Sequence, residues 1–418
     1  MSEGREVVVV HLDAEDFGPV DEIGTLRRVR RAATSVVSFT FAANWLRLGR
    51  RFALDPSLGL YEGEQYTSDG LFGIFTDIAP DRWGRTLLQR REAATARRER
   101  RRPRTLVDWD FLLGVSDELR MGALRLAEPS GGRFLSNDKA TVPPTARLRQ
   151  LQSYAQKAER GEQLTPREED EEIALLVAPG SSLGGARPKA NFRAADGTLW
   201  IAKFPSRNDS WDVGAWELVL NRMARQAGIS VPETDLLELA EGHRTFTAQR
   251  FDRTPAGRRR LYASAMTLVG KSDNEPASYP EIAEAIALYG SGDREAIDQD
   301  LEQLFRRAVF NVFTAHRDDH LRNHGFLGTP RGWRLSPAFD LNPVPTKPEH
   351  TIALDEGDHT PDLDLVRRTA GYYRIKPPQA EAIIREVRDA VSPWRSVAAK
   401  VGIHRDETEM MAATAFAL

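Results

Sequence analysis

The sequence predicts an α+β protein with two lobes, because strand-like segments come first along the chain and helical segments come second. Near the start, Val7–Leu12 and Ser35–Phe41 are rich in the β-branched and aromatic residues that favour strands. Residues 260–418 show mostly helical spacing of apolar side chains, apart from a loop region at residues 316–360. A chain of 418 residues is long enough for two or three domains with a sizeable core.

Three further segments organise the first third of the chain. Residues 71–92 have helical spacing that is interrupted at Ala79-Pro80-Asp81. Arginines are dense over residues 90–104, and two glutamates within this run favour a solvated helix face over a patch for DNA or another acidic partner. Residues 128–148 contain proline, glycine and serine with few large apolar side chains, which is typical of a linker.

The segments after this linker predict a hairpin and two helices. Strand-like runs at residues 190–193 and 199–204 flank Asp196-Gly197, a pair that favours a β-hairpin turn. A helix is expected over residues 212–227, ended by Gly228. A second, amphipathic helix ends just before residue 316, and its apolar stripe consists of Leu301, Leu304, Phe305, Ala308, Val309, Val312 and Phe313.

Composition excludes several classes of function. The net charge of −3 argues against binding nucleic acid over the whole surface, so any such contact must be local. The absence of cysteine excludes disulfides, thiolate zinc sites and thiol nucleophiles, and it fits a reducing cytoplasm. The first apolar run, residues 7–10, is too short for a membrane span. We therefore expect a cytoplasmic protein without membrane contact.

Residues 316–323 read HRDDHLRN, which is similar to the H-R-D-x-x-x-x-N catalytic loop of protein kinases. Phosphoryl transfer requires a carboxylate that positions the attacking hydroxyl, together with an amide and a second carboxylate that hold Mg²⁺. Asp318, Asn323 and Asp340 provide these groups in the expected order. Asp340, with Phe339 beside it, is placed like the aspartate of the kinase D-F-G motif.

Two alternatives remain open within this loop. Asp319 is a competing candidate for the base, although the H-R-D register favours its neighbour. His320 and His324 suggest a metal site, but the sequence offers no further ligand set. We therefore expect these histidines to make loop contacts or phosphate contacts.

A lysine and a glutamate upstream are candidates for an ion pair. Alternation places Lys203 on the same strand face as Leu199 and Ile201, where it either extends to solvent or pairs with an anion. Glu217 lies on the apolar stripe of the predicted helix, where a carboxylate is costly unless it is paired. The pattern predicts the kinase Lys–Glu pair that orients a phosphate-binding lysine. The alternative is a glutamate at the edge of the stripe.

The segment SSLGGARPK at residues 181–189 is a candidate phosphate loop. Backbone amides at Gly184 and Gly185 can approach phosphates closely because glycine has no side chain. No Walker A pattern is present, and a plain surface turn is the alternative.

Together these motifs resemble the HipA family of bacterial serine/threonine kinases, the toxin halves of type II toxin–antitoxin pairs. The resemblance extends through nearly the whole chain. It rests on FTDIAPDR at residues 75–82, RMGALR at 120–125, SLGGARPK at 182–189, IAK at 201–203, RFDR at 250–253, DDHLRNHG at 318–325 and AFDL at 338–341.

The resemblance implies a bilobal protein-kinase-like fold with a β-rich N-lobe, an added N-terminal subdomain and a mainly helical C-lobe. The corresponding parts are the subdomain at residues 1–128, the nucleotide-binding part of the N-lobe at 150–252 and the catalytic C-lobe at 253–418. The implied activity is ATP- and Mg²⁺-dependent phosphorylation of a protein on serine or threonine, with aminoacyl-tRNA synthetases among the family's targets. The implied partners are a helix-turn-helix antitoxin and, mainly through it, operator DNA.

The resemblance also assigns roles to residues. Asp318 matches the catalytic base, Asn323 and Asp340 match the Mg²⁺ ligands, and Ser182 matches the autophosphorylated serine, with Ser181 as the alternative acceptor. Glu217 would orient the phosphate lysine. The expected ATP contacts are Gly184, Gly185, Ala186, Arg187, Lys189, Lys203, Gln249, Arg250, Phe251 and His320.

Two other functions compete with a protein kinase. One is a small-molecule phosphotransferase on a related fold, which would use the same loops. The other is a catalytically silent operator-binding partner of a repressor. The presence of all four expected catalytic groups argues against it, namely Lys203, Asp318, Asn323 and Asp340.

Overall fold

The computed structural model describes residues 6–30, 35–47, 54–68, 70–131, 133–136, 142–162, 165, 168 and 187–416. The chain divides into two compact units. The first unit consists of Met1–Arg207 with Asp252–Ala263, and the second consists of Asn208–Phe251 with Ser264–Leu418. The division into residues 1–128, 150–252 and 253–418 stays a prediction.

The first unit contains a five-stranded antiparallel sheet with the strand order β4-β3-β2-β1-β5. Alternate side chains of the first strand, such as Val8 and Val10, are fully buried, as expected for a sheet with one face on a core. The strands predicted at residues 7–12 and 35–41 are confirmed. The five strands are β1 Val7–Leu12, β2 Asp21–Arg30, β3 Ser35–Phe41, β4 Glu64–Tyr66 and β5 Leu124–Ala127.

Helices of the first unit begin and end where the sequence has caps and breaks. They are α1 Ala43–Arg47, α2 Gly73–Thr76, α3 Arg82–Arg98, α4 Asp108–Gly114 and α5 Leu148–Arg160. Asp81 is the N-cap of α3, where its carboxylate accepts a hydrogen bond of 2.9 Å from the Gly84 amide. The predicted interruption at residues 79–81 is therefore confirmed as the point where one helix ends and the next begins.

The predicted hairpin of the first unit is also confirmed. Strands β6, Lys189–Arg193, and β7, Leu199–Lys203, pair antiparallel, so that Lys189 and Lys203 are direct cross-strand neighbours. Gly197 has φ 86°, which is the left-handed conformation that an Asp-Gly turn requires.

The second unit is mainly helical, as the sequence predicts. Its helices are α6 Val213–Gln226, α7 Ala265–Val269, α8 Tyr279–Tyr289, α9 Arg294–Phe313, α10 Leu363–Thr369, α11 Pro377–Val391, α12 Trp394–Val401 and α13 Arg405–Thr414. Helix α6 is followed by Gly228 at φ 73°, the conformation expected of a glycine that ends a helix. None of the helices that the structure describes is long and apolar enough to span a bilayer.

Short strands accompany these helices. Strands β8, Thr234–Leu237, and β9, Thr245–Gln249, form one antiparallel hairpin. Strand β10, Leu261–Ser264, comes where the chain passes from the first unit into the second. A further hairpin, β11 Gly325–Thr329 with β12 Gly332–Leu335, lies inside the region that the sequence assigned to loop. Glycines at residues 325, 328 and 332 weaken its strand signal, which explains why the pattern missed it.

The core of the second unit combines the apolar stripe of α9 with an aromatic cluster. Leu304, Phe305 and Phe310 are fully buried. The rings of Trp394 and Phe416 stack with their centroids 4.5 Å apart. A helix packed in this way provides a rigid support for the loop that follows it.

Candidate active site

The catalytic-loop motif begins directly after helix α9. Thr314 caps the C-terminus of the helix, and Ala315 has φ 48°, an uncommon left-handed conformation for a residue with a side chain. This turn directs the chain into residues 316–323, which end in a short 3-10 helix at Leu321–Asn323. The predicted arrangement, a buried amphipathic helix that ends at the motif, is confirmed.

The two neighbouring aspartates of the loop have different environments. The side chain of Asp318 is 57% exposed, whereas that of Asp319 is 4% exposed. Asp319 Oδ2 accepts hydrogen bonds from the Tyr279 hydroxyl, from Asn311 Nδ2 at 2.9 Å and from His324 Nε2 at 2.8 Å. Asp319 is therefore the buried anchor of the loop, and Asp318 is the carboxylate that an external hydroxyl can reach.

Electrostatics keep the buried aspartate ionised. Burial by itself raises the pKa of Asp319, but attraction to His324 and His316 and hydrogen bonds from His324 and Tyr279 outweigh it, so the pKa lies well below its usual range. Burial, together with the charge of Asp319, raises the pKa of Tyr279 well above its usual value. Tyr279 therefore remains a hydrogen-bond donor to a carboxylate that is ionised at neutral pH.

His316 joins the catalytic loop to the segment that contains Asp340. Its Nδ1 lies 2.7 Å from the carbonyl oxygen and 3.2 Å from the amide nitrogen of Asn342. The Val344 amide donates to the Ala315 carbonyl at 2.9 Å. Asp318 follows His316 by two residues, and Asp340 precedes Asn342 by two residues. Two residues of chain span at most roughly 7 Å, so the His316–Asn342 contact keeps the two aspartates in the same region.

Asn323 and Asp340 have features that fit oxygen ligands for Mg²⁺. Asn323 is 4% exposed, its Nδ2 lies 3.5 Å from the Asp318 carbonyl oxygen, and its Oδ1 is buried without a hydrogen-bond partner among the described residues. Asp340 has φ 61°, a left-handed conformation that is uncommon for residues other than glycine. Mg²⁺ is commonly bound by one or two side-chain oxygens together with substrate phosphates, which fits this pair.

The two histidines of the loop have different hydrogen-bond partners. Within the described ranges, no group of three or more His, Cys, Asp and Glu side chains is placed to hold a metal ion. His324 donates a hydrogen bond to Asp319, as described above. His320 is half-buried, and its Nδ1 lacks a hydrogen-bond partner among the described residues. In both histidines Nδ1 has no hydrogen-bond partner among the described residues, so the phosphate contact of His320 stays a prediction.

The predicted adenine-binding segment lies beside the predicted metal-binding segment within the second unit. Gln249 ends strand β9, and its amide donates to the Glu233 carbonyl at 2.8 Å. Arg250 and Phe251 are both buried. The ring of Phe251 lies 5.4 Å from that of Phe339, the residue before Asp340. The structure thus brings two predicted parts of a nucleotide site together, although they are far apart in the sequence.

The predicted phosphate contacts of the first unit occupy β6, β7 and the residues before them. Lys189 is 3% exposed and forms an ion pair of 2.7 Å with Asp81, while its carbonyl accepts a hydrogen bond of 2.9 Å from Trp83 Nε1. Arg187 Nη1 donates to the Phe204 carbonyl at 3.3 Å. Lys203 is half-buried. Their contacts with a nucleotide stay predictions.

Other predicted residues remain without a structural test. Glu217 is buried in α6 of the second unit, whereas its predicted partner Lys203 belongs to the first, so their ion pair stays a prediction. Ser181, Ser182, Gly184, Gly185 and Ala186 lie outside the described residues.

Comparison with known families identifies the chain. A family model of the HipA N-terminal domain matches residues 19–126, and a model of the HipA-like C-terminal domain matches residues 181–394. The chain belongs to the HipA family. A comparison with curated protein sequences finds no significant match.

Solved structures agree with this HipA assignment. A chain of the Shewanella oneidensis MR-1 complex of HipA, HipB and operator DNA matches with a TM-score of 0.68 at 17% identity, covering 97% of this chain and 94% of that chain. This match confirms the predicted α+β fold of the HipA type. The Helicobacter pylori proinflammatory kinase CtkA matches 53% of this chain and 94% of its own at 14% identity, with a TM-score of 0.37 that carries no inference.

Sequence reasoning missed several residues that build this HipA site. Tyr279 and Asn311 hold Asp319, and Lys347 forms an ion pair with Asp318. For Asn311 a signal existed, because it lies three residues after Ala308 and seven after Leu304 on the apolar stripe of α9, where an amide requires a partner. Tyr279 and Lys347 carry no such signal, since the segments that contain them approach the loop only in the folded chain.

Removal of either proposed Mg²⁺ ligand is expected to weaken binding of Mg-ATP by at least about tenfold, because each change deletes one oxygen ligand of a hard cation. The variants are Asn323→Ala and Asp340→Ala, measured by calorimetric titration. ATP with excess EDTA is the control, because its binding does not depend on the metal ligands. Unchanged Mg-ATP affinity and unchanged turnover in both variants would reject the assignment.

Proposed function

We propose that this chain is a HipA-type serine/threonine protein kinase that transfers the γ-phosphoryl group of ATP to a protein. One observation carries the proposal: the exposed carboxylate of Asp318 shares a loop with Asn323, whose buried amide oxygen has no hydrogen-bond partner among the described residues, and His316 of this loop contacts Asn342 in the segment of Asp340. These are the groups that phosphoryl transfer requires from a protein. Membership of the HipA family supports the same reading.

In the proposed reaction, Asp318 accepts the proton of a serine or threonine hydroxyl. The hydroxyl oxygen forms a bond to the γ-phosphorus, the bond from that phosphorus to the β–γ bridging oxygen breaks, and ADP leaves with the electron pair. Asn323 and Asp340 would hold Mg²⁺, which would supply positive charge that neutralises the phosphates. The buried Asp319 fixes the loop so that these groups keep their positions.

The nucleotide is proposed to contact residues on several elements. Gln249, Arg250 and Phe251 would hold the adenine, and Lys203 with the loop that ends at Lys189 would hold the phosphates. The contact between the Phe251 and Phe339 rings supports this assignment, because it links the adenine segment to the metal ligand that follows Phe339.

The proposed partners follow the HipA family. The Shewanella protein was solved together with HipB and operator DNA, which supports a helix-turn-helix antitoxin for this chain and contact with operator DNA mainly through that antitoxin. The proposed protein substrate is a cytoplasmic protein, with aminoacyl-tRNA synthetases as the first candidates. The proposed cellular role is that of a toxin whose kinase activity the antitoxin neutralises.

The decisive experiment is a labelling assay with purified protein and Mg-[γ-³²P]ATP. We expect label on a protein of a cytoplasmic extract and none on a panel of small alcohols, with Asp318→Asn as the inactive control. Label on a small alcohol instead would establish the phosphotransferase alternative. Label on neither would leave the operator-binding alternative. Phosphoproteomics after brief induction would then identify the target.

Ser182 is expected to be an inhibitory autophosphorylation site, although it lies outside the described residues. A phosphate there adds about −1.5 to −2 charges, which would repel the phosphates of ATP in the adjacent loop. Mass spectrometry after incubation with Mg-ATP should find phosphoserine in wild type and none in the Asp318→Asn variant, and the phosphorylated protein should be inactive. Phosphate at Ser181 instead would move the site by one residue, and phosphate on neither serine in an active enzyme would remove this switch.

A further inference from the structure

We infer that Lys347 is a positioning residue for the catalytic carboxylate Asp318, an inference that rests on the proposed kinase function. The Lys347 ammonium donates to Asp318 Oδ1. Asp318 Oδ2 makes no hydrogen bond within the described part of the chain and is left for the substrate hydroxyl. One oxygen is thus fixed by a cation while the other faces the reacting proton.

Several contacts fix the position of Lys347 itself. Its ammonium also donates to Thr351 Oγ1 at 3.1 Å, and that hydroxyl donates to the Arg317 carbonyl at 2.9 Å. The Arg317 guanidinium donates to the Lys347 carbonyl. Both the backbone and the head group of Lys347 are therefore tied to the residue that directly precedes Asp318, so the ion pair is preorganised rather than a chance contact of two long side chains.

No other cation of the loop takes this position. Arg317 is directed to the Lys347 carbonyl, and Arg322 forms two hydrogen bonds of 2.9 Å each with Asp273. Among the residues that the structure describes, Lys347 is the cationic side chain in salt-bridge contact with Asp318. A carboxylate that must accept a proton in one orientation benefits from a partner that prevents its rotation.

The alternative is an ordinary surface ion pair, and it makes a different prediction. The side chains of Lys347 and Asp318 are 42% and 57% exposed. Exposed pairs contribute little to the free energy of unfolding, so removal of the lysine should shift Tm by less than about 3 °C in either case. A surface pair would leave turnover unchanged, whereas a positioning residue would lower it.

The test compares Lys347→Met, Lys347→Arg and the control Lys400→Met, an exposed lysine at the end of α12. The readouts are kcat and the KM for ATP, with the extract protein that wild type labels as the acceptor. We expect Lys347→Met to lower kcat by about tenfold to a hundredfold with an unchanged KM for ATP. Lys347→Arg keeps the charge and should stay within about fivefold of wild type. Lys400→Met should match wild type.

A double mutant separates action through Asp318 from an independent effect. In the Asp318→Asn background, Lys347→Met should cost no further rate in single-turnover measurements. Wild-type kcat in Lys347→Met, an additive loss in the double mutant, or a drop of Tm well beyond 3 °C would each overturn the inference while the kinase proposal stands. An inactive wild-type protein would instead reject the kinase proposal itself.

Discussion

Asp318→Asn is expected to lower the rate of phosphoryl transfer by about 10²- to 10⁴-fold, because the isosteric amide cannot accept the proton of the attacking hydroxyl. The side chain is 57% exposed, so the same change should alter the free energy of unfolding by less than about 1 kcal/mol. Single-turnover kinetics with Mg-ATP and urea denaturation measure the two quantities. Loss of activity without loss of stability is the pattern that identifies a catalytic group.

Asp389→Asn provides a matched control, since Asp389 is a 72% exposed aspartate of helix α11 in the same unit. It should retain wild-type turnover and stability. If Asp318→Asn instead keeps activity within about tenfold of wild type, the base lies elsewhere or the kinase proposal is wrong, because base catalysis contributes more than that.

Asp319→Ala, unlike Asp318→Asn, is expected to lower the free energy of unfolding, by about 3–5 kcal/mol. The change removes a buried charge that accepts hydrogen bonds from Tyr279, Asn311 and His324, so three buried donors lose the acceptor that they share. Urea denaturation followed by circular dichroism measures the effect. Asp318→Ala, one residue away and exposed, is the control that should barely change stability.

The difference in free energy of unfolding between wild type and Asp319→Ala should depend on pH in a defined direction. The pKa of Asp319 is lowered in the folded state, so its stabilising contribution is complete above the unfolded value of roughly 4 and is lost as the pH falls below it. The difference between wild type and Asp319→Ala should therefore be largest near neutral pH and shrink in acid. A difference that is constant from pH 7 to pH 3, or a variant as stable as wild type, would contradict the anchoring role.

Elements with strong local patterns were predictable from the sequence. The β-branched and aromatic composition of Val7–Leu12 and Ser35–Phe41 predicted these strands, and Asp196-Gly197 predicted the hairpin turn. The stripe of Arg294–Phe313 gave the helix that ends at the catalytic motif. In each case the determining interactions lie within a few residues of chain, so a periodicity or a turn pair is sufficient.

Elements with weak local patterns were not predictable in the same way. The hairpin Gly325–Thr329 with Gly332–Leu335 contains three glycines and few β-branched residues, so its local β-propensity is low. Its strands form because the two segments pair with each other in the folded chain. Asp340, which follows this hairpin in the sequence, has a left-handed backbone that no local pattern predicts for a residue other than glycine.

The sequence by itself determined which residue types are available for phosphoryl transfer and their order, namely Asp318, Asn323 and Asp340. The H-R-D register favoured Asp318 over Asp319, but only the tertiary structure showed that the Asp318 carboxylate is exposed and the Asp319 carboxylate is buried. The distinction is made by Tyr279, Asn311 and Lys347, which come from segments remote from the loop. A buried carboxylate can anchor a loop when enough hydrogen-bond donors surround it to offset the cost of its burial. A carboxylate is a candidate base when one of its oxygens remains open. Both conditions depend on neighbours that only folding brings together.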